Sequence, residues 1–210
     1  FDSDSKATYV LNYPNSGQLE LSALTITPNG ANVSGKSEPF IVRPFGLRLK
    51  TVGGVYSTSA NGLAFTQAGK DFSVGVVPIA WAVGQDTIRD GNYDEGQNIS
   101  ANFVVNSFNG GKANLTKKNE RPNDLNTSSG VLTVANSPIP TFSNSQATVI
   151  ANWNEVGIID LTVTLSDISL FNGINIIGYE QNLGRFIPSY FDVTTTNGSL
   201  SSQCTNFSYI

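Results

Sequence analysis

Gly157-Ile158-Ile159-Asp160-Leu161-Thr162-Val163-Thr164-Leu165 opens on a glycine and then sets aliphatic side chains against hydroxyl and acidic ones at a period close to two. That alternation places one set of side chains on each face of a pleated strand, and β-branched residues suit it. Asp160, between Ile159 and Leu161, is thereby expected to face solvent. Comparable runs, bounded by Gly, Asn and Pro, recur at 7–12, 18–27, 39–42, 45–51, 71–82, 101–108, 130–134, 147–152 and 186–194. No run of ten residues free of Gly and Pro carries helical spacing. Turn signals at 28–30, 109–111, 171–173 and 197–198 suit antiparallel strands, since parallel ones need crossover helices. The expected fold is all-β: an antiparallel, immunoglobulin-like β-sandwich of about ten strands.

Composition narrows the chemistry. Of the 210 residues 39% are hydrophobic and only 13% charged, about half the usual charged fraction. The surface is therefore solvated by the hydroxyls and amides of Ser, Thr and Asn. With no His, Ser-His-Asp, Cys-His and His-zinc sites are ruled out. The single Cys204 rules out an internal disulfide and a Cys₄ zinc site. A net charge of −4 with scattered basic residues argues against nucleic acid and anionic membranes. The longest apolar stretch, 74–83, is broken by Gly75 and Pro78, so no membrane span is expected. The chain opens at Phe1 and contains no Met, which reads as an internal piece of a longer precursor. A type IV pilin subunit can also begin with Phe, but Asp2-Ser3-Asp4-Ser5 is nothing like its long apolar helix.

The chain also resembles itself at an offset near 140. Residues 15–22 align with 155–162, each a glycine followed by an alternating strand, with Gly17 on Gly157, Glu20 on Asp160 and Leu21 on Leu161. Residues 43–49 align with 187–193, with Pro44 on Pro188, and residues 64–66 align with 206–208. A period of this size is that of a whole domain. Residues 1–45 are expected to be the C-terminal half of a preceding sandwich repeat, 46–193 a complete repeat, and 194–210 the start of another.

The segment Leu183-Gly184-Arg185-Phe186-Ile187-Pro188-Ser189-Tyr190-Phe191 resembles the (V/L)-G-R-F-x-P-x-x-F signature of MshQ-like proteins, pilus-associated proteins of the mannose-sensitive haemagglutinin system. Glu155-Val156-Gly157, Ala68-Gly69-Lys70-Asp71-Phe72, Ala101-Asn102-Phe103 and the stretch from Cys204 to Tyr209 resemble other steps of that family. The resemblance implies a secreted, extracellular stalk or tip scaffold with a structural and adhesive role and no enzymatic activity. Its partners would be neighbouring repeats, pilus or cell-surface components, and host or surface glycans. In such a secreted parent the mate of Cys204 is expected beyond residue 210. Gly184, Arg185, Phe186, Pro188 and Phe191 read as scaffold, with the planar fork of Arg185 placed to clamp the joint between repeats.

Other candidates compete with plainer roles. The loop at 84–96 contains Asp90-Gly91-Asn92-Tyr93-Asp94, whose oxygen spacing suits Ca²⁺; it departs from an EF-hand, with Glu95 at the position that needs Gly, and Asx-turns in a solvated loop are the favoured explanation. Otherwise no cofactor is implied. Carbohydrate binding is the alternative function: Trp81 and Trp153, with Tyr56, Tyr93 and Tyr179, could supply a stacking platform for sugar rings, Trp153 at a strand end being the surface candidate and Trp81, inside an apolar run, expected in the core. Residues 112–129 hold much of the charge and read as an exposed loop. Asn-x-Ser/Thr sequons occur at about the rate that composition alone expects.

Overall fold

The computed structural model describes residues 6–56, 62–88, 91–99, 102–108, 110–121 and 130–192. Twelve strands form among them: β1 (Gly17–Leu19), β2 (Ser22–Ile26), β3 (Asn32–Lys36), β4 (Phe40–Val42), β5 (Gly46–Thr51), β6 (Thr66–Gln67), β7 (Asp71–Ile79), β8 (Ala113–Arg121), β9 (Leu132–Val134), β10 (Ala147–Trp153), β11 (Gly157–Leu165) and β12 (Ile177–Ile187). The one helical element among them is a 3₁₀ turn at Ser169–Phe171. No helix of the described residues is long and apolar enough to cross a membrane.

Two four-stranded sheets, ordered β5-β7-β10-β9 and β6-β12-β11-β8, face each other as a β-sandwich. Every pairing is antiparallel except the short one between β6 and β12. The alternation dictates what lies between the sheets: Leu47, Leu49, Val74, Val76 and Val149 from one, Leu115, Ile159, Leu161, Val163 and Leu165 from the other. Each such side chain contributes about 1.5–3 kcal/mol by leaving water. Phe65, Phe72 and Phe186 add an aromatic trio with ring centroids 5.3–5.5 Å apart. Where β12 crosses β5 the two sheets nearly touch. A β-carbon on Gly178 would lie 2.0 Å from the Leu47 carbonyl oxygen, so only glycine allows that approach.

Several expected boundaries are corrected. Residues 113–121, read as part of a charged loop, are strand β8, because Ala113 and Leu115 point inward, Lys117 lies partly buried, and Lys118 and Arg121 take exposed positions. The last strand runs over 177–187 instead of 186–194. Its glycines and amides mark close approach and a bulge, and do not mark a turn. Residues 7–12 form no strand, and of the described residues in 101–108 only Val104 makes an isolated bridge, to Ile79.

At one position the N-terminal strands repeat the pairing of the C-terminal ones, without their burial; past the glycines the registers part, with Gln18 opposite Ile41 but Ile158 opposite Gly184. β1 pairs with β4, placing Gly17 opposite Val42, and β11 pairs with β12, placing Gly157 opposite Phe186. Both glycines hold a positive φ, 141° and 114°, a region a β-carbon disfavours. The glycines are 140 residues apart and their partners 144, the offsets at which the sequence aligns with itself. β2 and β3 form a hairpin on this pair, closed by Thr27, whose hydroxyl bonds the Ala31 backbone. Leu24 and Ile26 on it remain 69% and 67% exposed. Hydrogen bonds from Asn106 N–H to the Pro14 carbonyl and from the Ser16 hydroxyl to the Ser107 carbonyl tie this region to the sandwich.

Candidate functional site

The two tryptophans exchange the places expected of them. Trp153 ends β10, whose odd-numbered residues Ala147, Val149 and Ala151 all face inward, and it is 0% exposed. It packs beneath Gly130, with the Lys117 ammonium 5.2 Å above its ring. Trp81 lies beyond the end of β7 at Ile79, where the inward alternation has stopped, and is 57% exposed. Phe103 stands exposed nearby, its carbonyl accepting the Ala80 N–H.

In the 84–96 loop, Asp90 lies outside the described residues, as do Cys204 and everything from 193 onward. The Asp94 carboxylate accepts the Thr87 N–H at 3.1 Å, the Thr87 hydroxyl at 2.7 Å and the Gln97 side-chain amide at 3.3 Å. Asp86 accepts the Gly91 N–H at 2.8 Å. These carboxylates organise the loop's own backbone. Among the described residues no group of three acidic or thiol side chains stands where it could hold a metal ion.

The signature residues divide at the end of β12. Gly184, Arg185 and Phe186 belong to the sandwich: the Gly184 N–H bonds the Val55 carbonyl, the Arg185 carbonyl accepts the Phe65 N–H, and Phe186 is buried. Pro188 and Phe191 follow the strand, exposed beside Tyr190.

Asp160, expected to face water, is 4% exposed. It does point away from the inward-facing Ile159 and Leu161, but the strands on either side bulge here, β12 between Glu180 and Leu183 and β8 between Lys117 and Asn119, and their side chains close over the carboxylate. Arg121 on β8 grips it with both nitrogens, at 2.8 and 3.4 Å, while Asn119 donates at 3.3 Å and the Asn182 N–H at 2.8 Å. Asn182 itself takes a left-handed φ of 60°, which asparagine tolerates. Burial pushes the Asp160 carboxyl up, but the hydrogen bonds from Asn182, Arg121 and Asn119 outweigh it and leave the group below its usual range. Three neighbouring strands are thereby latched at one carboxylate.

A cleft of about 350 Å³ lies close by, between β12 and the 93–99 loop, with Tyr56, Tyr93, Tyr179 and Glu180 on its walls. Tyr93 and Tyr179 pack at 5.6 Å, and the Lys118 ammonium sits 5.0 Å over the Tyr179 ring while bonding Glu95. Glu180 accepts a hydrogen bond from Tyr56 and has no ion-pair partner among the described residues. Burial pushes its carboxyl up to about 7, against the opposing effect of the Tyr56 bond. Burial also pushes Tyr93 up to about 12, helped by the negative charge of Glu180 and Glu95. The sequence offers these three tyrosines only as members of a sugar-stacking platform with the tryptophans, and it marks nothing at Glu180. The acid at 180 stands between Tyr179 and Gln181 in a stretch that lacks clean alternation, so only the fold reveals that it faces a cleft.

No curated protein matches the chain. Two family models do: residues 43–155 match the second domain of DUF6701 and residues 155–210 its third domain. Their meeting point, Glu155, lies in the turn between β10 and β11, so the sheet β6-β12-β11-β8 takes strands from both matched segments. With the second-domain model alone spanning more than half of its residues, the chain belongs to the DUF6701 family.

Proposed function

We propose that this chain is a non-catalytic structural and adhesive module of a large secreted, pilus-associated surface protein of the MshQ-like kind, built from β-sandwich units in tandem and working as a stalk or tip scaffold. The observation that carries the reading is the repeated glycine pairing. A glycine-opened strand faces the same partner position in β1–β4 as in β11–β12, one domain length apart. In β11 the pairing is covered by a second sheet, whereas Leu24, Ile26 and Val33 around β1–β4 lie open. A strand pair of that design is stable once another layer covers it, and neighbouring units of one long protein supply such layers. The exposed Pro188, Tyr190 and Phe191 beyond β12 suit the same role at the following joint. Gold-labelled antibodies against this chain, applied to intact cells of a producing strain, test the proposal. Label along surface filaments is expected; label only after permeabilisation overturns it.

Carbohydrate binding is a second reading, favoured by the exposed indole of Trp81. Under it, retention on a panel of immobilised glycans disappears in Trp81→Ala and survives in Trp153→Phe.

A further inference from the structure

We propose that the cleft walled by Tyr56, Tyr93 and Tyr179 binds a small organic cation, an alkylammonium group, through the carboxylate of Glu180 and the aromatic ring faces. The proposal is independent of the module reading above. It rests on a contrast between the acids of two adjacent strands. Asp160 receives a two-nitrogen grip from Arg121 and two further donors. Glu180, on the adjacent strand, receives a phenol. A carboxylate taken from water without a cation is costly, and π faces beside it make matters worse because they too are electron-rich. Both features favour a positive guest.

The cleft's own wall already demonstrates the preference. The Lys118 ammonium lies 5.0 Å over the Tyr179 ring and bonds Glu95. A second ammonium between Tyr56, Tyr93 and Glu180 would repeat that arrangement one step deeper. The other charge lining the cleft, Arg48 on β5, directs a guanidinium nitrogen to the Ile99 and Asn102 carbonyls, both at 3.2 Å. Anions are disfavoured by Glu180 and Glu95. A neutral sugar would leave the Glu180 charge without a counter-ion.

The groups that set the pH response are Glu180 with Tyr56, Tyr93, Tyr179, Glu95, Lys118 and Arg48 around it, and of these Glu180 is the one raised to about 7. The test is a titration of the full chain with tetramethylammonium chloride, followed by tyrosine fluorescence or proton chemical shifts at constant ionic strength, with sodium chloride as the control. Saturable binding is expected at pH 8.5 and at least tenfold weaker binding at pH 5.5, where the carboxyl is protonated. Glu180→Gln, close to isosteric, abolishes the pH dependence and weakens binding at pH 8.5 at least tenfold. Tyr56→Phe, which keeps the ring and loses the phenol hydroxyl, retains binding within about threefold. Absence of saturable binding at pH 8.5 overturns the proposal, as does binding unmoved by pH or by Glu180→Gln. Equal competition by a neutral hexose also overturns it and moves the cleft to the carbohydrate reading.

Discussion

Glu20 and Asp160 stand three residues after glycines that pair alike, Glu20 just past the end of β1 and Asp160 within β11, yet they live in different worlds. Glu20 is exposed and meets the exposed Lys36 at 2.7 Å. Asp160 is buried and joins three strands. Their neighbours follow suit: Leu21 is 43% exposed and Leu161 fully buried. Backbone pairing is thus common to both regions, and burial belongs to one. Ladder hydrogen bonds set register, but the second layer turns a register into stability.

The largest effect separates the two leucines. Leu161→Ala removes a core side chain from between two packed sheets and is expected to cost about 3–4 kcal/mol. Leu21→Ala should cost under about 1 kcal/mol. Urea denaturation of both variants decides it; similar losses would mean that the N-terminal strands are buried in solution after all.

The two acids come next. Asp160→Ala strips the Asn182 N–H and the Asn119 amide of their acceptor and releases the half-exposed Arg121 to water, and should cost about 2 kcal/mol. Glu20→Ala breaks a surface pair worth at most about 0.5–1 kcal/mol. Equal and small costs would show that the Asp160 latch is incidental to the join of β8, β11 and β12.

Two strand glycines sharpen the contrast further, because the same substitution has opposite signs. Gly178→Ala drives a methyl into the Leu47 carbonyl and should cost about 2–3 kcal/mol. Gly35→Ala in β3 meets nothing within 4 Å and should be neutral or gain up to about 1 kcal/mol. Thermal denaturation of both variants reads the signs, and a destabilised Gly35→Ala would reveal a layer covering the hairpin.

How legible this molecule is in its sequence follows from the same physics. Strands β7, β10 and β11 alternate cleanly because both their faces have fixed roles, and they can be read directly. β8 hides because Lys117, Lys118, Glu120 and Arg121 look like loop, although Lys117 serves Trp153 as a lid. β12 hides because Gly178, Asn182 and Gly184 look like turns, when one is the point of contact between sheets and another shapes a bulge. The tryptophans were decidable by parity within β10 and by the strand end at Ile79, which outweigh the local apolar run around Trp81. Asp160 was half decidable: parity puts it on the face opposite Ile159 and Leu161, but the cover it receives from Arg121, Asn119 and Asn182 comes from bulges in the neighbouring strands that leave no mark in β11. Glu180 shows the limit most sharply, for its cleft is assembled from residues more than a hundred positions apart.

The smallest of the expected effects, and the most diagnostic, is the response to pH. The Glu180 carboxyl is raised in the folded chain, from 4.5 to about 7. Between those values the folded state holds a proton that the unfolded state has released. Stability is therefore full below about pH 4.5 and declines as pH rises through 7. At roughly 1.4 kcal/mol per pH unit, and with the group partly open to the cleft, the loss should be about 2 kcal/mol. Asp160 acts in the opposite sense: its lowered carboxyl stabilises the fold above its unfolded value of 3.8 and ceases to do so as pH falls. The windows do not overlap, so denaturation midpoints from pH 4.5 to 8.5 report on Glu180 with little interference from Asp160. Because other groups titrate in that range, the decisive quantity is the difference between the unaltered chain and Glu180→Gln, which cannot ionise. That difference should grow toward pH 8.5 in favour of the variant. Parallel curves would mean that Glu180 is solvated or ion-paired in solution, and the contrast with Asp160 would disappear together with the reason for the cleft to prefer a cation.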